Sequence, residues 1–252
     1  EGEPFCEYRI TREQARNKKA YGITEFSGSY PMTGDISFSF AGGLKDADHT
    51  LTLSVEDASV GLSLSAKDKS LSLETKVLRE DCVLNEIIAS ESGLLEALHI
   101  SFAPYRDLDA PDVCFEEING QTFAYTVTRP LPPSGKPFVF SGIIRLIGAK
   151  ARLSFDKYTA TLTLTESEKN VTVLTGIFTD WRYADTKKEG LVQMDAWTRT
   201  LPCLRAAHSD YWRAFFEKAS LSLPDQFLEN VYYVNLYALD CCSGKDGVMK
   251  HH

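Results

Sequence analysis

No stretch of the chain approaches the ~20 consecutive apolar residues that cross a bilayer as a helix, so no membrane span is expected. Basic side chains are the minority, with 27 Lys and Arg against 35 Asp and Glu and a net charge of -8. A nucleic-acid surface normally shows a basic face, so no nucleic-acid partner is expected either. The acidic excess serves solubility and names no ligand. There is no Cys-x-x-Cys pair and no Cys/His spacing of the zinc type, and no metal site is expected. Glycine-rich phosphate loops of the GxGxxG and GxxxxGK[ST] kinds are missing too, and no cofactor is expected. His49, His99, His208, His251 and His252 form no triad with a GxSxG serine or a reactive cysteine. The acidic loop Asp107-Leu108-Asp109-Ala110-Pro111-Asp112 lacks the glycine and terminal Glu of an EF-hand and reads as a solvated loop.

Cysteine is sparse, with six residues at 6, 82, 114, 203, 241 and 242. The even count permits disulfides, but a chain of 252 residues can bury a large core without them. Cys241-Cys242 reads as two free or separately paired thiols rather than a strained vicinal pair. Asn170-Val171-Thr172 fits the glycosylation acceptor pattern, which matters only in a eukaryotic host. Glu1-Gly2-Glu3-Pro4 reads as a processed or trimmed start, and Lys250-His251-His252 as the remnant of a purification tag.

What the sequence does contain is a repeated period of two between about residues 35 and 180. Ile36-Ser37-Phe38-Ser39-Phe40, Leu51-Thr52-Leu53-Ser54-Val55 and Val60-Gly61-Leu62-Ser63-Leu64 each place apolar side chains on one face and small polar ones on the other. Leu98-His99-Ile100-Ser101-Phe102, Ala160-Thr161-Leu162-Thr163-Leu164 and Val171-Thr172-Val173-Leu174 continue the pattern. Successive side chains of a strand alternate faces, so each segment can bury one face and wet the other. Short strands at spacings near ten residues predict a large antiparallel β-sandwich. Asn119-Gly120 marks a tight hairpin turn. Pro130-Leu131-Pro132-Pro133-Ser134-Gly135-Lys136-Pro137 predicts a surface loop, because each proline removes a ladder donor.

Near residue 200 the character changes. Ser209-Asp210 supplies capping signals ahead of Trp212, Phe215 and Phe216 at helical spacing, which predicts a helix from there. Leu221-Ser222-Leu223-Pro224 breaks it, and a second helix is predicted from Asp225. Its apolar residues, Phe227, Leu228, Val231, Val234, Leu236 and Leu239 among them, form a stripe wider than one helix contact needs. Such a helix is expected to sit between other helices, or to drive self-association through the exposed tail where no partner covers it.

Those residues carry a resemblance. His208-Ser209-Asp210-Tyr211-Trp212-Arg213-Ala214-Phe215-Phe216, then Leu223-Pro224-Asp225 and Leu228-Glu229-Asn230-Val231-Tyr232-Tyr233, resembles a junction in certain glycoside hydrolases. There an amino-terminal β-supersandwich is joined by a linker helix to an (α/α)6 barrel, in the group of families around 65 and 95. The resemblance implies a β-sandwich domain over residues 1–200 and a linker helix with the start of a truncated helical-barrel domain over 201–249. It also implies a parent hydrolase or phosphorylase whose two carboxylates lie inside the barrel, beyond this chain. The expected partners are therefore a carbohydrate and a missing C-terminal catalytic domain, and the expected location is secreted or periplasmic.

No catalytic residue is assigned within the chain, because neighbouring carboxylates such as Glu116-Glu117 would face opposite sides of a strand. Sugars are commonly held by stacking a pyranose face on an aromatic ring while hydroxyls meet polar groups. Trp181, Tyr183, Asp185 and Trp197 are the carbohydrate-binding candidates on that ground. Each aromatic has a competing packing role, with Trp181 anchoring a strand end and Trp197 filling a core. Two functions stay open: a domain that shapes the rim of a catalytic barrel, or an independent carbohydrate-binding module.

Overall fold

The computed structural model describes residues 34–44, 46–78, 82–102, 111–129 and 137–242. Most of the acidic 107–112 loop, residues 130–136 of the proline-rich loop and Lys250–His252 lie outside them. The described residues are mainly β, with ten antiparallel strands followed by two helices. The strands are β1 (Asp35–Phe40), β2 (Asp48–Ser54), β3 (Ser59–Ala66), β4 (Lys69–Leu78) and β5 (Cys82–Ala89). Then come β6 (Leu95–Ser101), β7 (Asp112–Asn119), β8 (Thr122–Arg129), β9 (Phe138–Phe155) and β10 (Thr159–Thr179). The expected Asn-Gly hairpin joins β7 to β8, where the Asn119 carboxamide oxygen accepts a 3.0 Å hydrogen bond from the Gln121 amide.

β10 is the hub of the sheet. One edge pairs with β9 along its length, whereas the other carries β6 on Thr159–Thr163 and β5 on Asn170–Gly176. Between those two stretches the β9–β10 ladder shifts register, at Leu164/Glu166 and again at Ser167/Thr172. Opposite the shift sits Gly148 at φ +78, where any Cβ would collide with the Asn170 carbonyl, so glycine is required. The bulge reverses parity, a property of strands that gain a residue on one side. Ala160 and Leu162 enter the main core before it, Val171 and Val173 after it. The sheet thereby folds over as a sandwich, and Leu71 and Ile87 of one layer share a core with Leu98, Ile100, Phe123 and Tyr125. Gly142 lies directly opposite Tyr125, and its missing side chain is the space that the Tyr125 ring fills.

Past the bulge both faces of β9 and β10 are buried. Phe140, Ile144 and Leu146 point into the sandwich, whereas Ile143, Leu174 and Phe178 point out of it into a second core. That core is completed by Leu78, Cys82 and Leu84 below and by Met194, Trp197 and Leu201 of helix α1 (Thr186–Lys218) above. The buried residues of α1 are Thr186, Gly190, Met194, Trp197, Leu201, His208 and Trp212, a stripe at spacings of three, four and seven.

α1 differs from the expected helix, because it begins at Thr186 rather than near Ser209. Asp185 caps it: the carboxylate accepts from the Lys188 amide at 2.9 Å, and Glu189 accepts from the Asp185 amide at 3.0 Å. Pro202 inside the helix deletes one backbone hydrogen bond, yet the helix continues because Trp197, Leu201 and His208 are packed on either side. α1 ends at Lys218 with Ala219 as its C-cap, and the Asp225 carboxylate caps α2 (Gln226–Cys242) by accepting from the Phe227 and Leu228 amides at 2.9 and 3.2 Å. The two helices form a hairpin closed by Trp212 on Tyr237, Phe216 on Tyr233, and a 2.6 Å hydrogen bond from the Tyr211 hydroxyl to Asp240. Trp212 is buried; Phe227, Val231 and Val234 are exposed, and Leu236 is half-buried.

His208 latches α1 to the β2–β3 turn. It is 2% exposed, with Nε2 at 2.9 Å from the Asp57 carbonyl and Nδ1 unpaired. Burial pushes the imidazole below its usual pKa; the Asp57 carbonyl opposes this and the nearby Lys76 charge adds to it. The folded chain therefore holds His208 neutral where the unfolded chain would bind a proton. The stability it contributes is present above about pH 6.5 and falls away as pH drops through the folded value. Urea melts between pH 7.5 and 5 should show this loss, and His208→Gln, which keeps a donor for the Asp57 carbonyl, should flatten the slope. An unchanged slope in the variant would remove His208 from the account.

Candidate functional site

The turn between β10 and α1 is held against the start of β9. The Asp180 amide donates to the Val139 carbonyl at 2.9 Å, and the Val139 amide donates to the Asp180 carboxylate at 3.2 Å. The Arg182 and Tyr183 amides both donate to the Thr179 carbonyl at 3.0 Å, which closes the turn. This geometry throws Trp181 outward on the rim. The indole is 77% exposed, with its ring centroid 4.9 Å from that of buried Phe138. Most of the indole surface is thus open to solvent beside Phe138, as stacking on a sugar face needs.

The other candidates do not join it. Tyr183 is half-buried, edge-on to Phe178 at 5.4 Å. Asp185 is exposed but its carboxylate serves as the α1 cap. Trp197 takes the core-packing role weighed against binding: it is 5% exposed and stacked on Phe178 at 5.5 Å and 26°. Its indole fits because Gly176 and Gly190 leave room; a Cβ on Gly176 would come within 2.6 Å of the Trp197 ring. A Cβ on Gly190 would come within 2.6 Å of the Phe178 ring.

A groove of about 520 Å³ lies across β1, β6 and β10, lined by Ser39, Glu96, His99, Thr161, Thr163 and Glu166 among others. Ser39 Oγ lies 2.7 Å from His99 Nε2, and Thr161 Oγ1 lies 3.1 Å from His99 Nδ1. Both ring nitrogens are thereby satisfied on the sheet surface, and the row is a cross-strand hydrogen-bond ladder. Only the pairing of His99 with Ser37 and Thr161 brings these residues side by side, so no local motif could have announced them.

Carboxylates near cations meet those cations rather than one another. Glu86 binds Arg205 at 2.5 Å, Glu116 binds Lys187 at 2.7 Å, Asp195 binds Arg145 at 2.7 Å and Glu166 binds Lys150 at 2.9 Å. The Glu116 carboxylate beside it pushes the Lys187 ammonium above its usual range, so that cation stays charged. Among the described residues no cluster of His, Cys, Asp and Glu could hold a metal ion. No helix there is long and apolar enough to cross a membrane.

No family model matches the chain, and no curated protein does. Solved structures do. The chain is similar to a "Putative kojibiose phosphorylase from human microbiome" with a TM-score of 0.53 and 8% identity, over 72% of this chain and 27% of that one. It also aligns with a family GH92 alpha-mannosidase from Bacteroides thetaiotaomicron at a TM-score of 0.35 and 13% identity, over 79% of this chain and 27% of that one. The same mannosidase in complex with mannoimidazole gives 0.31 and 14% over the same shares. The chain therefore spans about a quarter of the length of these structures, and the first likeness shows the fold.

The two exposed-or-buried tryptophans make a direct comparison. Trp197→Ala should cost about 3–5 kcal/mol of unfolding free energy, the range for truncating a buried Trp. Trp181→Ala should stay within about 0.5 kcal/mol, and acrylamide should quench Trp181 alone among the three indoles. Equal losses from both substitutions would overturn the assignment of Trp181 to an open rim.

Proposed function

We propose that this chain is a non-catalytic β-sandwich domain that shapes and supports the substrate cleft of an (α/α)6 catalytic domain in a carbohydrate-active glycoside hydrolase or phosphorylase. The observation that carries the reading is the outer face of α2. Phe227 is 72% exposed, Val231 41%, Val234 43% and Leu239 59%, whereas the opposite face packs on α1. Phe227, Val231, Val234 and Ala238 recur at spacings of four, three and four, the seam by which one helix packs on another. A seam of this kind loses ~1.5–3 kcal/mol for each large side chain left in water, so a helical partner is the fitting occupant. The likeness to the phosphorylase chain, of which this chain spans 27%, supports the same division of labour. The proposed location is secreted or periplasmic. A second reading rests on Trp181 alone: an aromatic open to solvent on a rigid rim could grip a glycan without a catalytic partner.

The test has two arms. The 252-residue chain should release no product from kojibiose with inorganic phosphate, or from aryl α-mannosides. In a chain extended through the helical domain, Val231→Asp/Val234→Asp should split one thermal transition into two and lower turnover. Turnover by the 252-residue chain, abolished by a single Asp or Glu substitution within it, would contradict the proposal. Glycan binding lost in Trp181→Ala, with the α2 variant unaffected, would favour the second reading.

A further inference from the structure

We infer that the β2 edge is a self-association surface whose partner is a second copy of this chain, joined strand to strand across a twofold axis. Among the described residues β2 pairs with β3 on one side and has no strand on the other. An unpaired edge exposes a row of backbone donors and acceptors, and proteins normally blunt it with charge, proline or a bulge. The other outer strand, β7, carries Asp112, Glu116 and Glu117 and a register shift between Glu117 and Asn119. β1 is interrupted by a shift at Ser39/Phe40. β2 has neither proline nor bulge, and no carboxylate, lysine or arginine past its first residue. Its sequence, DHTLTLS, holds one carboxylate at its first residue, and its pairing with β3 runs without irregularity.

The side chains on this edge are apolar where they continue the core. Ile87 pairs with Leu73, Leu73 with Leu62 and Leu62 with Leu51, so the four stand on one face of the sheet. Ile87 is 1% exposed in the sandwich core, whereas Leu51, at the end of that row, is 70% exposed. Leu53 and Val60 stand beside it at 52% and 41%. The layer reaches past what covers it and ends in a patch of Leu51, Leu53 and Val60.

β2 is self-complementary in one antiparallel register. With Thr52 on the twofold axis, Leu51 faces Leu53 of the second copy and Leu53 faces its Leu51, while Thr50 faces Ser54. Leucine meets leucine and hydroxyl meets hydroxyl, and Asp48 falls outside the ladder. A shift of one residue would set leucine against threonine and turn the two apolar patches to opposite faces. The twofold arrangement instead places both patches on the same side of one continuous sheet, as a closed isologous pair requires. A seven-residue strand buries less than the ~800 Å² per partner of a standard stable interface, so the pair dissociates reversibly.

Sedimentation velocity on the whole chain, over roughly 5–500 µM, reads this directly. The wild type should pass from monomer to dimer. Leu51→Lys/Leu53→Lys sets like charges opposite each other and should raise the dissociation constant at least about tenfold, with the thermal midpoint held because both leucines are exposed. Leu51→Lys/Leu53→Glu sets Lys opposite Glu on both sides of the axis and should restore the dimer. Val234→Lys on α2 should dimerise as the wild type does, which separates this edge from the helical seam. The inference falls if the chain is monomeric throughout, if the dimer survives the paired lysines, or if Val234→Lys abolishes it.

Discussion

Phe178 is the point through which the two parts of this chain are joined. It sits near the end of β10 on the outer face of the sheet, 1% exposed, with Trp197 stacked on it and Gly190 in close contact with its ring. Interiors at this packing density leave no slack for an added methyl group. Gly176 and Gly190 are therefore as much a part of the contact as the two rings. Around it Leu84, Ile143, Leu174, Met194 and Leu201 complete a core that neither the sheet nor the helix could form alone. α1 is thus a third layer on the sandwich over its first half, and the support for α2 over its second.

That arrangement explains what the sequence disclosed. Strands with one wet face announce themselves by alternation, and β1, β3 and β6 are legible for that reason; β2 alternates in sequence although both of its faces are exposed. The first half of β9, Phe138-Val139-Phe140-Ser141-Gly142-Ile143-Ile144, shows no alternation because both of its faces are buried. The first part of α1 is quiet for a different cause. Its buried stripe is built from Thr186, Gly190 and Met194, which give a weak apolar signal, and Pro202 argues locally for a break. The aromatic-rich end, from Trp212 onward, is legible, and the start at Thr186 is not.

The candidate site divides in the same way. The sequence shows that Trp181, Tyr183 and Trp197 are close along the chain, but facing is decided by the turn and by the helix phase. Three backbone hydrogen bonds in the 179–183 turn send Trp181 out. The phase set by the Asp185 cap sends Trp197 in. The His99 row was invisible because its members are distant in sequence, and register alone assembles them. His208 shows a third kind of concealment, since nothing local distinguishes a histidine that will be buried against a turn 151 residues away.

The second core makes the first half of α1 a packed layer on the sandwich, and the outer face of α2 is left as a helical seam. Hydrogen exchange tests that claim most directly, on the whole chain and on a chain ending at Asp185. If α1 completes the second core, removing it exposes the outer face of β9 and β10, and the amides of residues 140–146 and 171–178 lose protection while the thermal midpoint falls. Unchanged protection in the shortened chain, with an unchanged midpoint, would mean that the sandwich is complete without the helix and would contradict the account.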